Sequence, residues 1–88
     1  MTNRWPDGLV DARVLFEFVA ECMGFTPEQI KDGRGFNRVF YMEKRIEEAR
    51  RVGLVTRLVG RDPTTGEVFG YAYRRDEIKG FVAKPASL

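Results

Sequence analysis

The stretch that most restricts the fold is EEARRVGLVTRLVGRDPTTGEVFGYAYRR at residues 47–75, because its apolar pattern changes period partway along. Gly53 follows a run of helix-favouring residues, and glycine adopts the positive φ of a helix stop without a steric clash. Leu54 and Val55 then begin a strand pattern, and DPTTG at residues 62–66 has the composition of a hairpin loop. The stretch predicts a helix that ends at Gly53 and is followed by a two-stranded β-hairpin.

Two helices are predicted before this stretch. Asp7 or Asp11 caps the first, which ends at Gly24, and apolar residues recur in it at helical spacing. TPEQ at residues 26–29 is a capping box, in which the threonine and glutamine side chains satisfy amide groups of the first turn. A short second helix therefore begins at this box.

A third helix is predicted from Phe36 to Val52. Its core stripe consists of residues spaced three or four apart, namely Val39, Met42, Ile46 and Ala49. Phe36 and Phe40, in the first turns, are expected to pack inward against helix one. If they are exposed instead, they form an apolar patch that suits a protein partner better than a sugar-phosphate backbone.

The length and hydrophobic content of the sequence suit one small domain. The 88 residues, 43% of them hydrophobic, supply one core over residues 9–82, flanked by a short N-terminal arm and a C-terminal tail. Trp5 is expected to anchor the arm onto the domain, and a role in dimerisation is the alternative. Gly80 and Pro85 are expected to limit the C-terminal residues to a short helical turn and a loose tail.

Several functional classes are disfavoured. The chain has no histidine and a single cysteine, Cys22, so it lacks the ligands of a zinc cluster and a nucleophile paired with an imidazole base. We therefore expect neither an enzyme nor a cofactor. No apolar run approaches the roughly 20 residues that span a bilayer, and the N-terminus lacks the apolar segment of a signal peptide. The expected location is the cytoplasm, without a membrane partner.

Basic side chains are concentrated in the middle of the sequence. Residues 1–33 carry three basic and six acidic side chains, whereas residues 34–61 carry eight basic and three acidic ones. This distribution can place a positive surface against phosphates. The alternative is a solvated helix with pairs such as Glu47 with Arg51.

Residues 26–74 resemble a known family, chiefly in RIEEARRVGLVTR and in the hairpin tip GRDPTTGEV. The segment is similar to the winged-helix domains of small bacterial and phage transcription regulators of the MarR and PadR kind. The resemblance implies an α+β winged helix-turn-helix fold, with three helices followed by a two-stranded wing. It also implies that helix three enters the major groove of double-stranded DNA and that the wing reaches a flanking phosphate or the minor groove.

The resemblance assigns DNA-facing positions to particular residues. Those on helix three are Asn37, Arg38, Tyr41, Lys44 and Arg45. Those on the wing are Arg61, Thr64 and Thr65, although both threonines also suit a simple turn. Cationic side chains neutralise phosphates, while arginine and asparagine also bind base edges.

Arg34 and Arg57 complete the DNA-binding set. Glycines on both sides of Arg34 allow either a flexible connection or a backbone that approaches a phosphate closely. Arg57 lies in the hairpin with Tyr71 and Tyr73, whose aromatic side chains either cover the core or form a stacking platform for single strands.

The predicted function is a double-stranded DNA-binding protein, namely a small transcriptional regulator or accessory factor. The alternative is a winged-helix interaction module that binds transcription or replication machinery, with a protein partner or a second copy of the chain. The positions of Phe40 and Tyr41 distinguish the two. Side chains that are buried, or groove-facing beside exposed Arg38 and Arg45, favour DNA, whereas an exposed apolar cluster favours a protein partner.

Overall fold

The computed structural model describes residues 5–84. The elements in chain order are β1 (Leu9–Asp11), a 3-10 turn (Ala12–Val14), α1 (Leu15–Cys22), α2 (Pro27–Lys31), α3 (Phe36–Arg51), β2 (Arg57–Arg61), β3 (Val68–Arg74) and α4 (Arg75–Ala83). The α+β class is confirmed. The predicted count is wrong, because residues 5–84 contain four α-helices and a three-stranded sheet instead of three helices and a two-stranded hairpin.

The extra strand is β1, which turns the hairpin into an antiparallel sheet of order β1-β3-β2. Val10 pairs with Tyr73, and across the other edge of β3, Val59 pairs with Tyr71. The register between β2 and β3 shifts after Gly60. At three residues, β1 is too short to show strand alternation, and its pairing depends on a strand more than sixty residues away.

The extra helix is α4, which continues through Gly80 despite the predicted break. Ile78 on α4 is fully buried, and Phe81 packs against the core cluster. The backbone N–H of Thr56 donates to the Glu77 carboxylate at 2.7 Å, which ties α4 to the segment between α3 and β2. Burial of Ile78 outweighs the cost of glycine in a helix, which is about 1 kcal/mol.

The predicted C-terminal tail, including Pro85, and the first four residues of the predicted N-terminal arm lie outside the described residues. Trp5 belongs to the described part of the arm. Its Nε1–H donates to Asp11 Oδ2 at 2.8 Å, and its ring centroid lies 5.1 Å from that of Phe69. A Cβ atom at Gly60 would lie 2.5 Å from the Trp5 ring, so this ring covers the hairpin as an anchor.

The core lies where α1, α3 and α4 meet the inner face of the sheet. Val19, Val39, Ile46 and Ile78 are its most buried side chains. The predicted stripe of α3 therefore faces inward, and its member Met42 is partly buried. The opposite face of α3 is left to solvent.

Both ends of α3 depend on glycines with positive φ. Gly53 has φ +84°, and Leu54 N donates to Ala49 O at 2.8 Å, so the predicted helix stop is confirmed. The strand that follows begins at Arg57, three residues later than the sequence pattern indicates. At the other end, Gly35 has φ +72°, and a side chain there would collide with the ring of Phe25.

The N-terminal caps agree with the sequence. The Thr26 and Gln29 side chains form the predicted capping box of α2. Asp11 acts as a cap, but of the 3-10 turn, where its carboxylate accepts from Arg13 N at 2.8 Å. The helix itself therefore begins only at Leu15.

Candidate nucleic-acid interface

The solvent-facing side of α3 carries all five helix residues that were predicted to contact DNA. Asn37, Arg38, Tyr41, Lys44 and Arg45 are exposed, and 68% of the Tyr41 side-chain surface is accessible. They share this side because the core stripe of the same helix occupies the opposite one.

Two of these cations lie against aromatic rings of neighbouring helices or turns. The guanidinium carbon of Arg38 is 5.6 Å from the Phe25 ring centroid, and that of Arg45 is 5.4 Å from the Phe81 centroid. The ring face attracts the cation, and the apolar stem of each arginine covers the ring. Both charged groups therefore remain at the surface with a restricted set of orientations.

Arg34 lies just before α3 and is also exposed. Its backbone N–H donates to Gln29 O at 2.8 Å, which fixes the connection between α2 and α3. Because the neighbouring Gly35 packs against Phe25, glycine is needed there for close packing inside the protein. The connection holds Arg34 at the start of the basic surface.

The hairpin carries the other four predicted residues. Arg57 lies 4.3 Å from the Tyr71 ring centroid, and Arg61 donates to Gly66 O at 2.9 Å across the hairpin end. The backbone N–H groups of Thr64 and Thr65 both donate to Asp62 Oδ1, so the tip is an ordered turn.

The hydroxyl groups of the tip differ in their availability. Thr65 Oγ1 accepts from Glu67 N at 3.2 Å and serves the turn, as the alternative reading of this residue expected. Thr64 is exposed, and within residues 5–84 its hydroxyl has no hydrogen-bond partner. The tip thus presents Thr64 to solvent while Thr65 supports the loop.

The aromatic residues of β3 do not form a single buried ladder. Tyr73 belongs to the core, and Phe69 packs on Trp5, whereas Tyr71 is 38% exposed beneath Arg57. Tyr73 therefore covers the core, as one of the two interpretations expected. Of the two tyrosines, only Tyr71 is exposed and could stack on a base.

Six of the cations predicted to contact DNA have no carboxylate within 4 Å in the described part of the chain. They are Arg34, Arg38, Lys44, Arg45, Arg57 and Arg61. Other arginines are paired, as Arg13 is with Asp11 at 3.0 Å and Arg50 is with Glu47. Within residues 5–84, six of the cations without a carboxylate partner lie on α3, on the turn before it and on the hairpin, and five others lie elsewhere, at Lys31, Arg74, Arg75, Lys79 and Lys84.

A groove of about 350 Å³ separates α3 from the hairpin and holds charges of both signs. Lys44 and Arg57 line it together with Glu43 and Glu47. Burial and the nearby carboxylates of Glu17 and Glu47 raise the pKa of Glu43, whereas the hydrogen bond from Arg50 lowers the pKa of Glu47. The groove itself is therefore a poorer anion site than the outer face of α3.

The aromatic residues at the start of α3 are exposed, so they are not buried inward as predicted, although Phe36 does contact α1. Phe36 is 46% exposed and Phe40 is 42% exposed. Phe36 packs against Phe16 of α1, with ring centroids 5.1 Å apart, and stacks on Phe40 at 6.5 Å. Phe36 and Phe40 lie on a flank of α3, off the stripe of buried residues that faces the core, so their rings stay at its rim.

The aromatic rings beneath Arg38 and Arg45 were not identified from the sequence. Phe25 could have been found, because it directly precedes the cap Thr26 and, with Ile30, has the spacing of a hydrophobic staple. Both side chains are partly buried against the core. Phe81 had no such signal, since the helical turn predicted in this region was not expected to continue past Gly80.

Within residues 5–84, no helix is long and apolar enough to cross a bilayer, and no three potential metal-binding side chains are grouped together. Comparison of the chain with known protein families, with curated proteins and with solved structures found no match. The resemblance to winged-helix regulators therefore depends on the sequence motifs given above.

Proposed function

We propose that this protein is a winged-helix protein that binds double-stranded DNA, as a small transcriptional regulator or accessory factor. The outer face of α3 enters the major groove, and the hairpin contacts flanking phosphates. The resemblance to bacterial and phage regulators would place this role in the cytoplasm.

The observation that carries the proposal is the set of six exposed cations without carboxylate partners. A cation paired within the protein gains little by meeting a phosphate, because it must first give up its partner. An unpaired cation neutralises a phosphate directly and releases a condensed counterion. Three of the six lie on one face of α3, which is sixteen residues long and suited in shape to the major groove.

The order of elements supports the same proposal. A capped short helix precedes a longer basic helix, which leads through Gly53 into an antiparallel hairpin. The turn between the two helices is fixed by Gly35 against Phe25, and the hairpin tip is closed by Asp62 and Arg61. Such fixed connections keep a helix and a hairpin in one orientation toward DNA.

A selection from random duplexes, followed by affinity measurements over a salt series, tests the proposal. We expect one family of sequences to be enriched at about 0.1 M salt, and log affinity to fall with log salt with a slope that reflects roughly three to six phosphate contacts. An affinity that does not change between low and moderate salt would contradict DNA binding by this surface.

A second candidate function is a protein-interaction module, and the exposure of Phe36 and Phe40 favours it. The two functions use different sides of α3. Residues two apart lie about 200° apart around a helix axis, so Arg38 and Phe40 face nearly opposite directions. One helix can therefore serve both DNA and a protein.

A further inference from the structure

We propose that the side of the protein formed by α1, α2 and the aromatic flank of α3 binds a segment of another protein that carries a large apolar side chain beside lysine or arginine. This inference goes beyond DNA binding and does not depend on it. We call this surface the aromatic–acidic face, and its residues are Phe16, Phe36, Phe40, Glu17, Glu21 and Glu43.

The aromatic part of this face is continuous. Phe36 lies between Phe16 of α1 and Phe40 one turn further along α3, and its ring centroid is 5.1 Å from the first and 6.5 Å from the second. Nearly half of the Phe36 and Phe40 surfaces are accessible. Contiguous exposed aromatic side chains mark interaction sites more often than isolated ones do.

A groove continues the face between α1 and α2. It has a volume of about 340 Å³, and its walls are mainly apolar, formed by Phe16, Ala20, Phe25, Pro27 and Ile30. This volume lies within the range of pockets that enclose organic groups, about 300 to 1,000 Å³. The groove is therefore large enough for a bulky apolar side chain of a partner.

The charges around the groove determine the kind of partner. Glu17 and Glu21 line it on the α1 side, with Lys31 on the α2 side. Burial, followed by the nearby carboxylate of Glu17, raises the pKa of Glu43 on α3. Within residues 5–84, none of these three carboxylates pairs with a cation.

An apolar partner segment with lysine or arginine complements this surface in both respects. Its apolar side chain would enter the groove, and its cation would approach the carboxylates and remove the repulsion between Glu17 and Glu43. Lys44, whose ammonium group lies 5.0 Å from the Phe40 ring centroid, marks the boundary with the DNA-facing side. An acidic partner would meet three carboxylates and is disfavoured.

The inference is tested by selecting random peptides about 12 residues long on the full chain, in the manner used for groove-binding segments. Synthetic copies of the enriched peptides are then titrated into isotopically labelled protein. We expect enriched sequences to carry lysine or arginine within about four residues of a large apolar residue, one helical turn or less. We expect the amide signals of α1, α2 and the start of α3 to shift.

Two variants and one matched control identify the contact. Glu17→Gln with Glu43→Gln preserves side-chain shape and should weaken peptide binding at least about fivefold, as loss of complementary charge does. Phe40→Ser should weaken it similarly, and thermal melting verifies that each variant folds. Arg45→Ala, whose side chain lies over Phe81 and not over a wall of the groove, should leave peptide binding unchanged.

Three results would overturn the inference. One is enrichment of acidic or uncharged peptides, or no enrichment at all. Another is equal peptide binding by the wild type and both variants. The third is a concentration-dependent dimer that covers Phe36 and Phe40, because the occupant would then be a second copy of the chain. Loss of DNA binding is measured separately, with Arg45→Ala, so that failure of one proposal is distinguishable from failure of the other.

Discussion

At the scale of single residues, Arg38 and Arg45 combine a charge that is available to DNA with an aromatic support. Each guanidinium lies over a ring that belongs to a different part of the fold, Phe25 before α2 and Phe81 on α4. A supported side chain loses less conformational freedom on binding than one that is free in solvent. These two residues are therefore the strongest candidates for direct contact with bases.

We expect Arg38→Ala and Arg45→Ala each to weaken duplex binding by about 1–3 kcal/mol if the arginine reads a base, and by less if it contacts only phosphate. The control is Arg13→Ala, which removes the same charge from an arginine already paired with Asp11. Fluorescence anisotropy with the selected duplex measures all three. Unchanged affinity in both α3 variants would move the DNA site away from this helix.

Asp11 connects Trp5, Arg13 and the start of the 3-10 turn. The hydrogen bond from Arg13 is the main cause that holds the pKa of Asp11 well below its usual range. A carboxyl group with a lowered pKa in the folded state stabilises the fold above its unfolded pKa of about 3.9, and this contribution is lost as the pH falls below that value.

We therefore expect Asp11→Asn to be less stable than the wild type by about 1 kcal/mol at neutral pH, because Arg13 is largely exposed and its attraction is screened. The difference should stay constant from neutral pH down to about 5 and shrink below about pH 4. Urea unfolding at several pH values measures it. A difference that grows on acidification would show that Asp11 is not the stabilising group.

At the scale of elements, α4 contacts the core, α3 and the segment that leads into β2. Ile78 fills the core, Phe81 supports Arg45, and Glu77 holds the Thr56 backbone. Gly80 lowers the stability of this helix, because glycine loses more conformational freedom than other residues on folding. The position has space for a side chain, since no atom would lie within 4 Å of an added Cβ.

Gly80→Ala should accordingly stabilise the protein by about 0.4–1 kcal/mol, because alanine restricts the unfolded chain without a clash in the helix. Gly53→Ala serves as the contrast, since Gly53 has φ +84° and an alanine there is strained. Thermal unfolding of the two variants should shift in opposite directions. If Gly80→Ala lowered the melting temperature, helix α4 would not extend through this position in solution.

The hairpin tip offers a test of function at the same scale. Residues 62–66 are exposed except for partly buried Asp62, and the tip bonds mainly to itself. Replacing DPTTG by a two-residue Asn-Gly turn should keep the strands paired and change stability by less than about 1 kcal/mol. Affinity for duplex DNA should fall several-fold, because Thr64 and the loop backbone would no longer reach the phosphates.

Arg61→Ala keeps the loop length and therefore isolates the contribution of the charge at the hairpin end. Wild-type affinity in both the shortened and the Arg61→Ala variants would exclude the hairpin as a contact.

Elements that depend on neighbouring residues were predictable from the sequence, and elements that depend on distant ones were not. The capping box at Thr26, the stop at Gly53 and the turn at residues 62–66 each follow from local backbone preferences. In contrast, β1 exists because Val10 pairs with Tyr73, and α4 persists through Gly80 because Ile78 is buried. Local propensity contains neither of these long-range contributions.

At the scale of the whole molecule, α3 separates two surfaces of different chemistry. Its outer side, with Arg38 and Arg45, presents unpaired cations, whereas the flank with Phe36 and Phe40 joins the acidic side of α1. The exposure of all ten predicted DNA-contacting positions was predictable, because the period of α3 and the composition of the tip determine which residues face solvent. The aromatic–acidic face was not predictable from the sequence, because it depends on the packing of Phe16 of α1 against Phe36 of α3.

The sheet order also leaves β2 as an outer strand, with Arg57 and Arg61 at its two ends. The free edge of such a strand can pair with the same edge of another molecule, and positive charges on it oppose this association. The arginines proposed to attract DNA would thus also oppose edge-to-edge association of copies of the protein. If the protein binds DNA as proposed, phosphates that neutralise these charges would remove that repulsion between molecules bound close together on one duplex, and crowded binding sites would be where strand-to-strand aggregation begins.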